Sequence, residues 1–293
     1  MRPLVVVLFV QLAVAVVFVV LVVSGALPFG GDDGGNATAR VDRFDGPAAF
    51  ALLKMQLSYG PRPAGSSASR RLAEKLRTLL PNGRFQPVPG GLRNVVGTVA
   101  GRQPSRTVVV GAHYDSKDIP GFLGANDGAG GTAAVVELAR QLKPRTIGPT
   151  VEFVLFDGEE SPAGVPDIKF LTYGLRGSKV AAKAFKHAEA MILLDFVADK
   201  HLLLPREATS DAQLWARLRS AAGKAGVGAY FPADTGIGIE DDHTPFIGQR
   251  IPSIDLIDWD FSCYHQTCDN LSAVSEKSLD ASGEAVVGLL STL

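Results

Sequence analysis

Val151-Glu152-Phe153-Val154-Leu155-Phe156-Asp157-Gly158-Glu159-Glu160 is an apolar run that ends in a turn and two adjacent carboxylates. The run from Val151 to Phe156 is short, rich in Val and Phe, and closed by Gly158, so it reads as a buried strand. Glu159 and Glu160 then stand just past the strand's carboxyl end. Neighbouring carboxylates in such a place repel each other and lose hydration. A fold keeps them when one is neutralised by a cation and the other is retained as a base. Acidic pairs are also common on solvated surfaces, so the rest of the chain has to decide between the two readings.

Outward from that strand, the pattern alternates. Helical spacing runs over 47–57, is broken by Gly60-Pro61-Arg62-Pro63-Ala64-Gly65-Ser66, and resumes over 69–80. β-Branched runs occupy 94–100 and 107–112. Residues 131–142 place Val135, Leu138, Ala139 and Leu142 on one helical face. A strand over 150–156, a helix over 179–187 and a strand over 191–196 follow. An amphipathic helix over 211–225 turns Leu214, Trp215 and Leu218 inward, and a strand over 251–257 precedes a closing helix over 278–290. Strands alternating with helices imply an α/β fold, a mostly parallel (mixed) central sheet with helices on both faces. In such sheets reactive groups gather at the carboxyl ends of the strands.

Composition sets limits on partners. With 293 residues, 46% of them hydrophobic, and a formal net charge of −1, the chain can bury one large core but carries no electrostatic footprint for nucleic acid. Residues 3–23 hold no charge, and roughly 20 apolar residues span a bilayer as a helix. The run exceeds the apolar core of about 7–15 residues usual in a cleaved secretory signal. A signal anchor and transmembrane helix over 1–26 is expected, with Arg2 inside and the bulk of the chain extracytoplasmic. Cleavage at Val23-Ser24-Gly25-Ala26 would instead release a secreted protein. Residues 27–45, with Gly30-Gly31-Asp32-Asp33-Gly34-Gly35-Asn36, read as a tether, and 46–293 as the catalytic domain. The two cysteines, Cys263 and Cys268, flank His265. They either close a short disulfide loop that would pin His265, or join it as zinc ligands.

Polar residues do collect at successive strand ends. His113, Tyr114 and Asp115 follow the strand over 107–112. Asp127 lies in the Gly-rich segment Gly124-Ala125-Asn126-Asp127-Gly128 before a helix. Asp195 ends the strand over 191–196, and His265 follows the last strand. Taken singly, His is most often a satisfied core residue, and Asp before a helix is most often an N-cap. A carboxylate in the apolar strand Leu193-Leu194-Asp195, however, needs a cation or several donors. Imidazole together with carboxylates suits zinc, and three protein ligands leave one position open for chemistry. Successive side chains along an extended segment point apart, so one of Glu159 and Glu160 can hold metal while the other faces substrate.

These residues resemble the M28 metallopeptidase superfamily, and most closely its glutaminyl-peptide cyclotransferases. The resemblance is carried by His113-Tyr114-Asp115-Ser116-Lys117, Gly124-Ala125-Asn126-Asp127, Asp157-Gly158-Glu159-Glu160, Tyr173-Gly174-Leu175-Arg176-Gly177-Ser178, Leu193-Leu194-Asp195, Glu240-Asp241-Asp242-His243-Thr244-Pro245-Phe246 and His265, in the family's order. It implies that Asp127, Glu160 and His265 bind one zinc, that Glu159 shuttles a proton, and that Asp195 and Asp241 belong to the active-site hydrogen-bond network. In dinuclear relatives the positions of His113 and Asp195 hold a second zinc, with Asp127 bridging.

Departures from the cyclase pattern lie in the pocket. Tyr264 stands where Trp is usual before the last His, no Trp follows the Glu-Glu pair, and Asp255 replaces a common His. Two aromatic walls are therefore expected to be missing. Tyr264, Gln266 and Thr267 are the residues expected to line the substrate site. The resemblance implies cyclisation of N-terminal glutaminyl residues of peptides or proteins to pyroglutamyl, with ammonia released and one zinc bound. The alternative is a two-zinc aminopeptidase in which Glu159 activates water. A monomer is expected.

Overall fold

The computed structural model describes residues 43–293. The expected anchor over 1–26 and nearly all of the tether over 27–45 lie outside the described residues. Among the described residues, no helix is long and apolar enough to cross a membrane.

Helices α1 (Gly46–Leu57) and α2 (Ser67–Leu79) come first. Asp45 caps α1 through Ala48 N–H, and Ser66 caps α2 through Ser69 N–H, so both helices begin slightly earlier than spacing alone suggests. Strands β1 (Arg84–Val88), β2 (Leu92–Val99) and β3 (Gln103–His113) follow, then α3 (Ala129–Gln141) and β4 (Pro149–Phe156). The remaining elements are the short α4 (Phe170–Tyr173), α5 (Arg176–Ala184), β5 (Ala190–Asp195), α6 (Ala212–Lys224), the short α7 (Thr244–Gly248), β6 (Ser253–Ile257) and α8 (Glu276–Leu290).

The six strands run in the order β1-β2-β4-β3-β5-β6. β3, β4, β5 and β6 are parallel, while β2 joins β4 antiparallel and β1 joins β2 antiparallel. The mixed sheet is therefore as expected. β1 was not legible, because this edge strand contains Pro87 and buries only Val88.

Strand residues alternate between two apolar layers. Val108, Val110, Ile192, Leu194, Ile254 and Leu256 pack on one face with α1, α2, α3, α6 and α8. Val109, Val154, Phe156, Met191 and Leu193 pack on the other with Ala181 of α5 and Phe246 of α7. The chain leaves β3 for β4 on one side and later places β5 on the other, so the sheet changes winding direction beside the carboxyl end of β3. Ligand sites in open α/β sheets form at such a switch point. Gly131 makes the close packing there possible: a Cβ on it would lie 2.0 Å from Leu194 O.

Candidate metal centre

The Glu159-Glu160 turn is held by a third carboxylate. Asp115, fully buried at the end of β3, accepts the backbone N–H groups of Gly158 (3.0 Å), Glu159 (3.2 Å) and Glu160 (3.3 Å). Gly158 adopts φ +78°, and a Cβ there would meet Leu92 at 2.7 Å and Arg176 at 2.8 Å, so only glycine fits the turn. Asp157 fixes its start: its N–H donates to Asn94 Oδ1 and its Oδ2 accepts Arg93 N–H.

Asp127 precedes α3, but the helix is capped by Gly128 without a side-chain bond. Asp127 is thus not an N-cap and its carboxylate is free to turn into the site. Its Oδ1 lies 3.3 Å from His113 Nε2, and its Oδ2 lies 3.5 Å from His265 Nε2. Glu160 Oε1 lies 3.6 Å from the same His265 nitrogen, while Glu160 Oε2 is 3.0 Å from Lys117 Nζ. Asp195, at the end of β5, brings Oδ1 to 3.4 Å from His113 Nε2 and accepts Phe196 N–H on that same oxygen. Two ligand sets result, Asp127-Glu160-His265 and His113-Asp127-Asp195, sharing Asp127.

The two sets differ in how their oxygens are satisfied. Asp127 Oδ2 and Glu160 Oε1 are buried and have no hydrogen-bond partner. Buried acceptors normally have one, and these two converge with a histidine nitrogen, so the set fits a cation. Two carboxylate oxygens and one imidazole suit zinc with an open position. Burial pulls His265 down to about 4, leaving its ring neutral and able to ligate. In the other set His113 fills the space itself. Burial lowers its pKa, but Asp195, Asp115 and Asp127 outweigh that and hold it well above the ordinary histidine value. Its Nε2 lies within ion-pair range of both carboxylates, and its Nδ1 bonds Asp115 O at 3.1 Å.

Glu159 faces the pocket beside the first set. Burial, reinforced by Glu160, holds its carboxyl well above the usual range. Burial and Asp127 push Glu160 up to about 8, and burial and Asp195 push Asp241 up to about 7. A dication at Asp127-Glu160-His265 would oppose these shifts. Behind Asp241, the buried His243 lies between Glu207 Oε2 (3.4 Å) and Asp255 Oδ2 (3.6 Å).

The pocket above these groups measures about 310 Å³. Asp127, Glu159, Glu160, Asp195 and His265 form its floor, and Asp241 joins its lining. Trp259, Tyr264, Phe196 and Phe170 supply aromatic walls, with Ile237 and Ile239 among them. The expectation of missing walls is corrected: Trp259, six residues before His265, brings an indole from a different place in the chain. Tyr264 stacks on His265 with ring centroids 3.8 Å apart, and Trp259 packs on Tyr264 at 4.8 Å. A larger cavity of about 580 Å³, beside Arg43, Gln141 and Lys277, has none of these groups.

Two further expectations change. Cys263 and Cys268 form a disulfide, so they are not zinc ligands. Gln266 and Thr267 are not among the residues lining the pocket, and Gln266 Nε2 bonds Ser262 O on the surface. Trp259 was missed because a tryptophan after a strand has no signature of its own. The role of Asp115 was missed because it makes its bonds across the sheet.

Residues 94–290 match Peptidase family M28. The chain is 29% identical to aminopeptidase YwaD of Bacillus subtilis (strain 168) over 195 residues, covering 61% of this chain and 39% of that protein. It is 28% identical to the glutaminyl-peptide cyclotransferase of Drosophila melanogaster over 235 residues, covering 66% of this chain and 63% of that protein. The chain therefore spans less than two thirds of the length of either curated relative. Among solved structures, a glutaminyl cyclase of Tannerella forsythia matches with a TM-score of 0.76 at 27% identity, covering 85% of this chain and 99% of that one.

Proposed function

This chain belongs to peptidase family M28, and from that premise we propose that it is a zinc-dependent glutaminyl-peptide cyclotransferase. It would convert N-terminal glutaminyl residues of peptides or proteins to pyroglutamyl and release ammonia. The observation that carries this reading is the unequal state of the two ligand sets. Asp127 Oδ2 and Glu160 Oε1 have no hydrogen-bond partner and only a longer approach to His265, whereas the Asp127 and Asp195 oxygens of the second set lie closer to His113. That favours one ion, held by Asp127, Glu160 and His265, beside an unliganded Glu159.

Bound there, zinc would supply Lewis acidity toward the γ-carbonyl oxygen of the substrate. The chain's own residues do the rest. The aromatic walls fold the glutaminyl side chain so that the α-amine meets its own γ-carbon, a gain in proximity and orientation. Glu159 takes a proton from the attacking amine as the new C–N bond forms. It returns that proton to the departing amide nitrogen as the old C–N bond breaks, so ammonia leaves and no water is consumed. Asp195 and Asp241 keep charge and hydrogen bonding fixed around the floor.

The second reading, a zinc aminopeptidase, is favoured by one observation: Asp127 is shared by both ligand sets, as a bridging carboxylate would be. Incubating the purified protein with Gln-primed and Leu-primed peptides separates the two. Ammonia release and a blocked N-terminus from the Gln peptide support the cyclase. Free amino acid without ammonia supports the peptidase and sinks the cyclase. We also propose that residues 1–26 anchor the protein in a membrane with the catalytic domain extracytoplasmic, supported by the uncharged run over 3–23 and by the disulfide. Recovery of full-length protein from a soluble fraction would contradict the anchor.

A further inference from the structure

Two of the three residues of the first ligand set, Asp127 and His265, are far apart in sequence, yet one short segment reaches both. The Cys263–Cys268 disulfide closes a ring around His265, with Cα atoms 5.4 Å apart. Within it His265 holds φ +51°, a conformation that a non-glycine residue keeps only where its surroundings impose it. Directly after the ring comes Asp269, whose side chain is fully buried. Its Oδ1 accepts Asn126 N–H at 2.8 Å, its Oδ2 accepts Asp127 N–H at 3.1 Å, and its carbonyl accepts Ala125 N–H at 3.4 Å. From the other direction the buried Arg62 guanidinium donates to Leu123 O, to Gly124 O (2.9 Å) and to Tyr114 O (3.0 Å). The backbone that carries Asp127 is therefore gripped between Arg62 and Asp269.

We propose that residues 263–269 act as one positioning device for the metal centre, in which the disulfide fixes His265 and Asp269 is the positioning residue for Asp127. Asp269 touches no ligand atom. It works because a carboxylate presents two acceptor oxygens to two successive N–H groups, which sets the peptide plane from which the Asp127 side chain leaves. An amide of the same shape accepts on one side only and turns its NH₂ toward the second N–H. The disulfide makes the segment's ends inseparable, so a displacement of the ring moves His265 and Asp269 together. The inference rests on a zinc ion held by Asp127, Glu160 and His265.

The test measures zinc affinity by chelator competition, and the visible spectrum of the cobalt-substituted protein, for the full chain and two variants. Asp269→Asn and the paired Cys263→Ser/Cys268→Ser change should each weaken zinc binding by about tenfold or more, the usual effect of losing an outer partner of a metal ligand. Each should also alter the cobalt spectrum, a readout that a general loss of stability does not move. Combined, they should weaken binding by less than the product of the separate effects. Zinc affinity unchanged in either variant, or effects that simply multiply, overturns the proposal. If Asp269→Asn does not fold, the cysteine variant decides alone. Failure of the unmodified protein to bind zinc refutes the metal reading itself and is distinguishable from failure of the device.

Discussion

Oδ1 of Asp115 accepts the backbone N–H of Glu159 at 3.2 Å, and with the neighbouring bonds to Gly158 and Glu160 this ties the end of β3 to the turn after β4. The backbone of the two glutamates is thus held by a carboxylate from another strand end. Asp115→Asn puts an NH₂ against an N–H and leaves at least one buried donor unsatisfied. A loss of about 1–3 kcal/mol in stability is expected. Because the turn carries Glu159, kcat should fall as well. Thermal melts and steady-state kinetics on the variant check both, and an unaltered kcat would break the link between this turn and turnover.

Glu159→Gln should sharply slow the proposed cyclisation while leaving zinc content intact. The side chain lines the pocket but is not in either ligand set. General acid–base groups contribute roughly 10²–10⁴-fold, so a fall in kcat of that order is expected. Elemental analysis and a rate assay on the same preparation test the two halves. Zinc lost along with activity would make Glu159 a ligand rather than a shuttle.

The candidate ligands were legible from local signals: His113, Glu160 and Asp195 follow apolar runs, and Asp127 lies in a Gly-rich segment before a helix. His113, Asp127, Glu160, Asp195 and His265 all meet within the two ligand sets as the alternation of strands and helices implied. What sequence did not show is how distant segments hold them. Asp115 bonds a turn 43 or more residues away, and Asp269 bonds backbone more than 140 residues away. Such partners have no periodicity and no motif. The pocket wall was misjudged for a related reason: Trp259 reaches the pocket from the segment after β6, and only packing shows which indole lines it.

Metal count follows from the unequal sets. Zinc at one ion per chain is expected, and His113→Gln should leave that number unchanged because His113 is not in the Asp127-Glu160-His265 set. Asp127→Asn should abolish binding, since it removes one anionic ligand common to both sets. Elemental analysis of the three proteins is the check. Two ions in the unmodified protein, falling to one in His113→Gln, would support the aminopeptidase instead.

Trp259 is 39% exposed and lines the pocket against Tyr264. It belongs to neither ligand set, so under the proposed function it serves substrate binding. Trp259→Ala should therefore raise KM for a Gln-primed peptide about fivefold to tenfold with kcat little changed, corresponding to about 1 kcal/mol for an aromatic contact. A fall in kcat at constant KM would place the indole in the chemical step.

Buried acids give the zinc-free protein a defined pH response. Burial and Asp127 raise Glu160 to about 8, burial and Asp195 raise Asp241 to about 7, and burial and Asp127 raise Asp269 to about 7. In the unfolded chain such groups ionise near pH 4. Between about pH 6.5 and 8.5 the unfolded chain has already lost these protons, while the folded chain still holds part of them. The folded state binds more protons, so its stability falls as pH rises through this window. His113 acts in the same direction: burial lowers it, but Asp195, Asp115 and Asp127 leave it well above the usual histidine value. Zinc requires Glu160 ionised, so loading the protein removes the Glu160 contribution. Calorimetry should show Tm of the zinc-free protein falling by several degrees across the window and Tm of the zinc-loaded protein falling less. A zinc-free Tm that rises with pH would show that these carboxyls are already ionised in the folded chain.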